Sequence, residues 1–181
     1  TTGTGNTIVG GLAGDALTTG TSNTAFGRSA LSTEEAGSRA VAIGYGALFA
    51  QNHGGNSYNV AMGYNTGTSI STGVTNTLIG GLAGDAITTG SGNTAVGYQA
   101  LTTEDANGTT TAIGQKALML QNAGTESYNT AVGYDAGQQV TTGNENTLIG
   151  GRAGEALTTG GGNVALGKSA LADETTGGNN V

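Results

Sequence analysis

The chain has 181 residues, 36 of them glycine, with no proline, cysteine or tryptophan and a net charge of −7 carried by only 9% charged residues. Lacking cysteine, it can form neither disulfides nor thiolate metal sites. With five Lys+Arg it has no cationic cluster for a phosphate backbone, and no apolar run approaches the roughly 18–20 residues that cross a bilayer.

A hydrophobic content of 35% is thin for a wide core, yet so few charges do not describe a disordered acidic tail. The remaining class is a repetitive fold with a narrow interior, in which glycine lets backbones approach and turn tightly.

Related units begin at Asn6, Asn23, Ala40, Asn59, Asn76, Asn93, Thr110, Asn129, Asn146 and Asn163, with spacings of 17, 17, 19 and 17 that then recur. Four units make a 70-residue block, so that GNTIVGGLAGDALTTG returns as TNTLIGGLAGDAITTG and ENTLIGGRAGEALTTG. The chain opens inside a repeat (Thr1–Gly5) and closes on Asn180-Val181, the start of another, so residues 1–181 read as one segment of a longer fibre.

Each unit opens with a short strand. The first position is Asn in eight units, which predicts an amide ladder up one corner. The second is β-branched, the third is Ala in seven units, and the fourth is always large and apolar, from Val9 and Phe26 to Val96 and Leu166. We read this fourth column as inward and core-filling, so that Val96→Asp would unfold the segment by burying an unpaired charge. The fifth is Gly throughout, the eighth is Ala except at Thr66, and Gly recurs near the fifteenth in nine units.

The ninth and twelfth positions are coupled. Where the ninth is Leu (Leu31, Leu48, Leu101, Leu118, Leu171) the twelfth is polar, and where it is Gly (Gly14, Gly67, Gly84, Gly137, Gly154) the twelfth is apolar. Each unit supplies one plug to a shared slot, because filling it twice would overpack the interior.

Glycine at this frequency would cost about 1 kcal/mol per position in a helix. The pattern therefore predicts an all-β fold, a parallel β-solenoid (β-roll or β-helix) of about ten 17–19-residue rungs. One or two units could make a turn. The small third-position residues leave the interior narrow enough for copies to pack around an axis.

NTAVGYQAL (93–101), TTAIGQKAL (110–118) and NTAVGYDAG (129–137) resemble the repeats of phage tail-fibre proteins, many of which end in a self-cleaving intramolecular chaperone domain. They also resemble the NSVAIG-type repeats in the heads of trimeric autotransporter adhesins, and the likeness runs over residues 6–181. The resemblance implies a homotrimeric parallel β fibre exposed on a virion or cell surface. The spacing here is longer than the adhesin repeat, and no chaperone domain or membrane anchor is recognisable.

Candidate sites are few. Tyr45, Tyr64, Tyr98 and Tyr134 all hold the sixth position and suit contact with a host-surface glycan or receptor. GGLAGDAL resembles a calcium repeat, but Asp15, Asp85 and Glu155 return only every 70 residues and read as solvated turn carboxylates. Glu34-Glu35 and Glu104-Asp105 read as a solvated edge rather than a glycosidase dyad, and His53 as a loop residue without a catalytic partner. The Gly-rich phrases lack the Lys of a phosphate loop. Thr pairs such as Thr18-Thr19 and Thr88-Thr89 raise an ice-binding face, which other rungs interrupt. The sequence thus points to a structural shaft with no enzyme activity, cofactor or metal. Its partners would be copies of itself, as homotrimer or filament, without nucleic acid or membrane insertion. An adhesin head, a self-assembling filament and an ice-binding solenoid are the alternatives.

Overall fold

The computed structural model describes residues 2–106 and 108–181; Thr1, where the opening partial repeat begins, and Asn107, the fifteenth-position exception, lie outside them. Ten three-residue strands run in chain order as one parallel sheet: β1 Thr7–Val9, β2 Thr24–Phe26, β3 Val41–Ile43, β4 Val60–Met62, β5 Thr77–Ile79, β6 Thr94–Val96, β7 Thr111–Ile113, β8 Thr130–Val132, β9 Thr147–Ile149 and β10 Val164–Leu166. Each strand pairs only with its sequence neighbours, and like position faces like position, as in Ala95↔Ala112. One unit is therefore one turn of a parallel β-solenoid, which settles the one-or-two question. Among the described residues the rest of each rung is turn, bend and irregular backbone, with one isolated parallel bridge between Ser38 and Asn56.

Left-handed backbone bends every rung. The seventh, ninth and last residues all take positive φ, as at Gln99 (56°), Leu101 (55°) and Thr109 (62°) in the rung of β6. The fifth-position glycines sit at φ 122–144°, a region closed to other residues. They also stack on one another: a Cβ on Gly97 would lie 2.4 Å from the carbonyl oxygen of Gly114 one rung on. That double constraint accounts for the invariant Gly.

The corner ladder is present. Asn23 donates from Nδ2 to the Gly37 carbonyl at 2.8 Å, while its Oδ1 accepts from the Ala40 N–H at 2.9 Å. The same pair of bonds recurs at Asn76, to the Gly90 carbonyl and from the Asn93 N–H, both at 2.9 Å. These side chains are buried, and the ladder satisfies backbone groups that water cannot reach.

The core consists of the third, eighth and ninth-or-twelfth columns. Ala25, Ala42, Ala95 and Ala112 are fully buried, as are the eighth-position Ala30, Ala47, Ala100 and Ala117. Leu31, Leu48, Leu101 and Leu118 fill the slot in their rungs, and Ile70, Ile87, Val140 and Leu157 fill it elsewhere. A Cβ on Gly84 would meet Ile87 Cδ1 at 2.9 Å and Leu78 Cδ2 at 3.0 Å, so a second plug has no room. The third position shares the work: Ile8, Leu78 and Leu148, the large residues of that column, lie over the ninth-position glycines of their own rungs, and the last two are fully buried.

The fourth column is a correction. Strand residues alternate between faces, so burying the third position turns the second and fourth outward. None of the ten fourth-position side chains is buried, and Phe26 (55%), Met62 (42%) and Leu166 (77%) are plainly exposed. The interior accepts an Ala on the strand side, or a Leu only above a ninth-position Gly. Ten large side chains could not enter it.

Candidate functional site: the sixth-position tyrosine column

The sixth residue follows the fifth-position glycine, where the chain leaves the strand and turns outward. Tyr45, Tyr64, Tyr98 and Tyr134 are all about half exposed. The structure brings two of the four together: Tyr45 and Tyr64 stack with centroids 5.5 Å apart and planes 15° from parallel. The Arg28 guanidinium lies 5.8 Å from the Tyr45 centroid. Arg28, Tyr45 and Tyr64 thus form a three-rung cationic and aromatic stack, with both tyrosines about half exposed. Such an arrangement can stack on a ring and exchange hydrogen bonds with hydroxyl-rich ligands.

Tyr98 and Tyr134 stand apart. Gly81 occupies the column between Tyr64 and Tyr98, and a Cβ there would sit 3.6 Å from Tyr98 Cδ2. Gln115 separates Tyr98 from Tyr134 in the same column. Two further exposed tyrosines, Tyr58 and Tyr128, end the 19-residue rungs. Arg39 lies 5.5 Å from the Tyr58 centroid and donates to its phenol oxygen at 2.9 Å. Tyr128 donates to Glu126, and that bond with the nearby negative charge raises the phenol above its ordinary pKa. The sequence signal for this pair was the two-residue extension immediately before each Tyr.

Glu34 and Glu104 are fully buried, whereas Glu35 and Asp105 are exposed, so no solvated edge and no carboxylate dyad forms. Glu34 accepts from the Gly37 N–H at 2.7 Å and from Gln51 Nε2 at 3.0 Å; Gln51 Oε1 accepts from Asn59 Nδ2 at 2.8 Å. Gln121 repeats this, donating to Glu104 at 2.8 Å and accepting from Asn129 at 2.7 Å. The twelfth position thus turns inward in both unit types. In the Leu-type rungs Glu34 and Glu104 alternate with Gln51 and Gln121, so each of these two buried carboxyl groups meets an amide donor from the next rung.

Asp15 and His53 are exposed, and Glu155 pairs with Arg152 at 3.8 Å. Asp85 is half-buried with a buried oxygen lacking a partner, and desolvation raises its pKa. No three His, Cys, Asp or Glu converge on a possible metal position among the described residues. The hydroxyls of Thr18, Thr141 and Thr158 donate to carbonyls one rung away, so that column is engaged within the stack. No helix among the described residues is long and apolar enough to cross a membrane. No protein family, no characterised protein and no solved structure matches this chain.

Proposed function

We propose that the chain is a rigid, non-catalytic shaft segment of a fibre displayed on a virion or cell surface. One observation carries the reading: the same rung-to-rung bonds recur along the whole stack. Strand pairing and turn bonds such as Gly97 N–H to Ile79 carbonyl (2.7 Å) and Leu101 N–H to Ala117 carbonyl (3.0 Å) tie rung to rung, and the Asn ladder adds to them everywhere but at Ala40 and Thr110. At about 4.8 Å per rung, ten rungs stand about 48 Å tall. Length is then set by repeat number, and local opening needs several bonds to break together. Native digestion with trypsin tests this. Lys116 and Arg152 lie in interior rungs, and both should survive conditions that degrade the heat-unfolded chain. Rapid native cleavage there would remove the shaft reading.

The Arg28–Tyr45–Tyr64 platform supports a second reading, an adhesive contact with surface glycans. A glycan array probed with wild type and Tyr64→Ala separates the two, since only the adhesive reading expects binding that the substitution removes.

A further inference from the structure

Residues 70 apart hold equivalent places in successive blocks, so each corner of the first block has a counterpart in the second. Three charge-changing differences between the two fall at one corner, where the 19-residue rungs end. The first block places Arg39, Asn56, Tyr58 and Thr75 there; the second places Thr109, Glu126, Tyr128 and Glu145. One cation is lost and two carboxylates are gained around a retained tyrosine, so the formal charge goes from +1 to −2.

The backbone carrying the two corners is the same. Arg39, Tyr58 and Thr75 take φ of 63°, 52° and 58°, and Thr109, Tyr128 and Glu145 take 62°, 51° and 58°. Each tyrosine follows a buried serine held by the inward Gln of its rung, Ser57 by Gln51 at 3.3 Å and Ser127 by Gln121 at 2.9 Å. What differs is the cover on the ring. The Arg39 guanidinium lies 5.5 Å from the Tyr58 centroid and donates to the phenol oxygen at 2.9 Å. Thr109, at the equivalent place, is too short to lie across Tyr128, and its hydroxyl donates to the Gly108 carbonyl at 2.6 Å.

The groups around Tyr128 suit a cation. Its phenol gives its proton to Glu126, which leaves the lone pairs of the phenol oxygen to accept from an incoming donor. That hydrogen bond, then the negative charges of Glu126 and Glu145, raise the phenol above its ordinary pKa, so both carboxylates act on the same oxygen. Glu126, Tyr128 and Glu145 are all exposed. Arg39 shows which cation fits: a planar guanidinium lies on the ring with one N–H on the phenol, and its remaining donors suit carboxylates. We propose that Glu126, Tyr128 and Glu145 bind a guanidinium group supplied from outside the chain, as Arg39 supplies one to Tyr58 from within. The site goes beyond the shaft reading and depends on no step of it. Exposed ion pairs and exposed cation–aromatic contacts are each weak, so a lone guanidinium binds loosely and an arginine on a polypeptide gains from its neighbours.

NMR of the whole 181-residue chain, labelled on its tyrosine rings, tests this with N-acetylarginine amide as the probe. The Tyr128 ring signals should shift saturably, less in high salt, while those of Tyr58, already covered by Arg39, should not. Glu126→Asn/Glu145→Thr, which installs the first-block residues, should weaken binding about fivefold or more. Thr109→Arg should abolish it by supplying the guanidinium internally. Arg39→Thr/Asn56→Glu/Thr75→Glu should make Tyr58 respond instead, and all of these positions are exposed, so the fold should be retained. A pentapeptide with a central arginine that binds more tightly than the amide assigns a polypeptide source; equal binding assigns a small molecule. An absent or non-saturating shift at Tyr128, an equal response to N-acetyllysine amide, or unchanged binding by Glu126→Asn/Glu145→Thr overturns the proposal.

Discussion

The shared slot makes a prediction about compensation that ordinary core substitutions do not. Leu101 fills the slot from the ninth position at φ 55°, fully buried, while Glu104 faces inward three residues on. Leu101→Gly deletes a buried Leu side chain, a loss of about 2–5 kcal/mol. It returns about 1–2 kcal/mol, because a side chain no longer occupies left-handed backbone. The net fall centres on about 2 kcal/mol, or about 4–8 °C in Tm at 2–4 °C per kcal/mol for a chain of this length. Adding Glu104→Leu recreates the Gly-plus-apolar arrangement of Gly84 and Ile87, worth about 1.5–3 kcal/mol of burial. Against that, Gln121 Nε2 loses its carboxylate acceptor, though it keeps Thr110 Oγ1 at 3.0 Å and Ser127 Oγ at 2.9 Å. A lost bond of that kind takes back about 1 kcal/mol. The double variant should therefore melt several degrees above Leu101→Gly in calorimetry, whereas Leu101→Gly/Glu104→Gln, which adds no plug, should not. A double variant no more stable than the single would end the shared-slot account.

Gly97→Ala should be far more damaging than an Ala substitution on the outer surface. Its Cβ would lie 2.4 Å from the Gly114 carbonyl oxygen at φ 136°, so urea unfolding should show a loss of more than about 2 kcal/mol. Asp85 gives a pH signature. Desolvation raises its folded pKa, so the folded state holds its proton more tightly, and this contribution to stability is present at low pH and disappears as pH rises through the folded pKa. Asp85→Asn should raise Tm at neutral pH and have little effect below the ordinary carboxylate range; a Tm equal to wild type at pH 7 would contradict the desolvation.

The solenoid was legible because its constraints act at fixed sequence distance. A fifth-position glycine stacked on the next one, and an Asn bonded to the carbonyl 14 residues on, leave the same mark in every unit. The ninth-and-twelfth rule was visible for the same reason, since Gly84 and Ile87 exchange volume within one rung. What stayed hidden were contacts that depend on which way a turn points. Glu34 and Glu35 are neighbours of identical chemistry, yet left-handed residues upstream direct the first inward to Gln51 and leave the second in water. Likewise, the column of sixth-position tyrosines was readable, but the pairing of Tyr45 with Tyr64 required knowing that one unit is one turn, which puts the two rings on adjacent rungs.

The reversal at the fourth position has a physical reason that extends past this chain. The rule that large apolar side chains go inside assumes an interior wide enough to hold them. Here the turns close the rung around Ala25, Ala30 and Leu31, or around Leu78, Ala83 and Ile87, and one plug per turn completes the volume. Strand alternation then leaves a choice between an Ala column and a column of Val, Ile, Met and Phe, and only the Ala column fits. Hydrophobicity alone ranks the wrong face first, because it weighs transfer from water and omits the space available. The same alternation makes Ala95 and Val96 a decisive pair: adjacent in sequence, they should respond oppositely to Asp, the first losing the fold and the second keeping it.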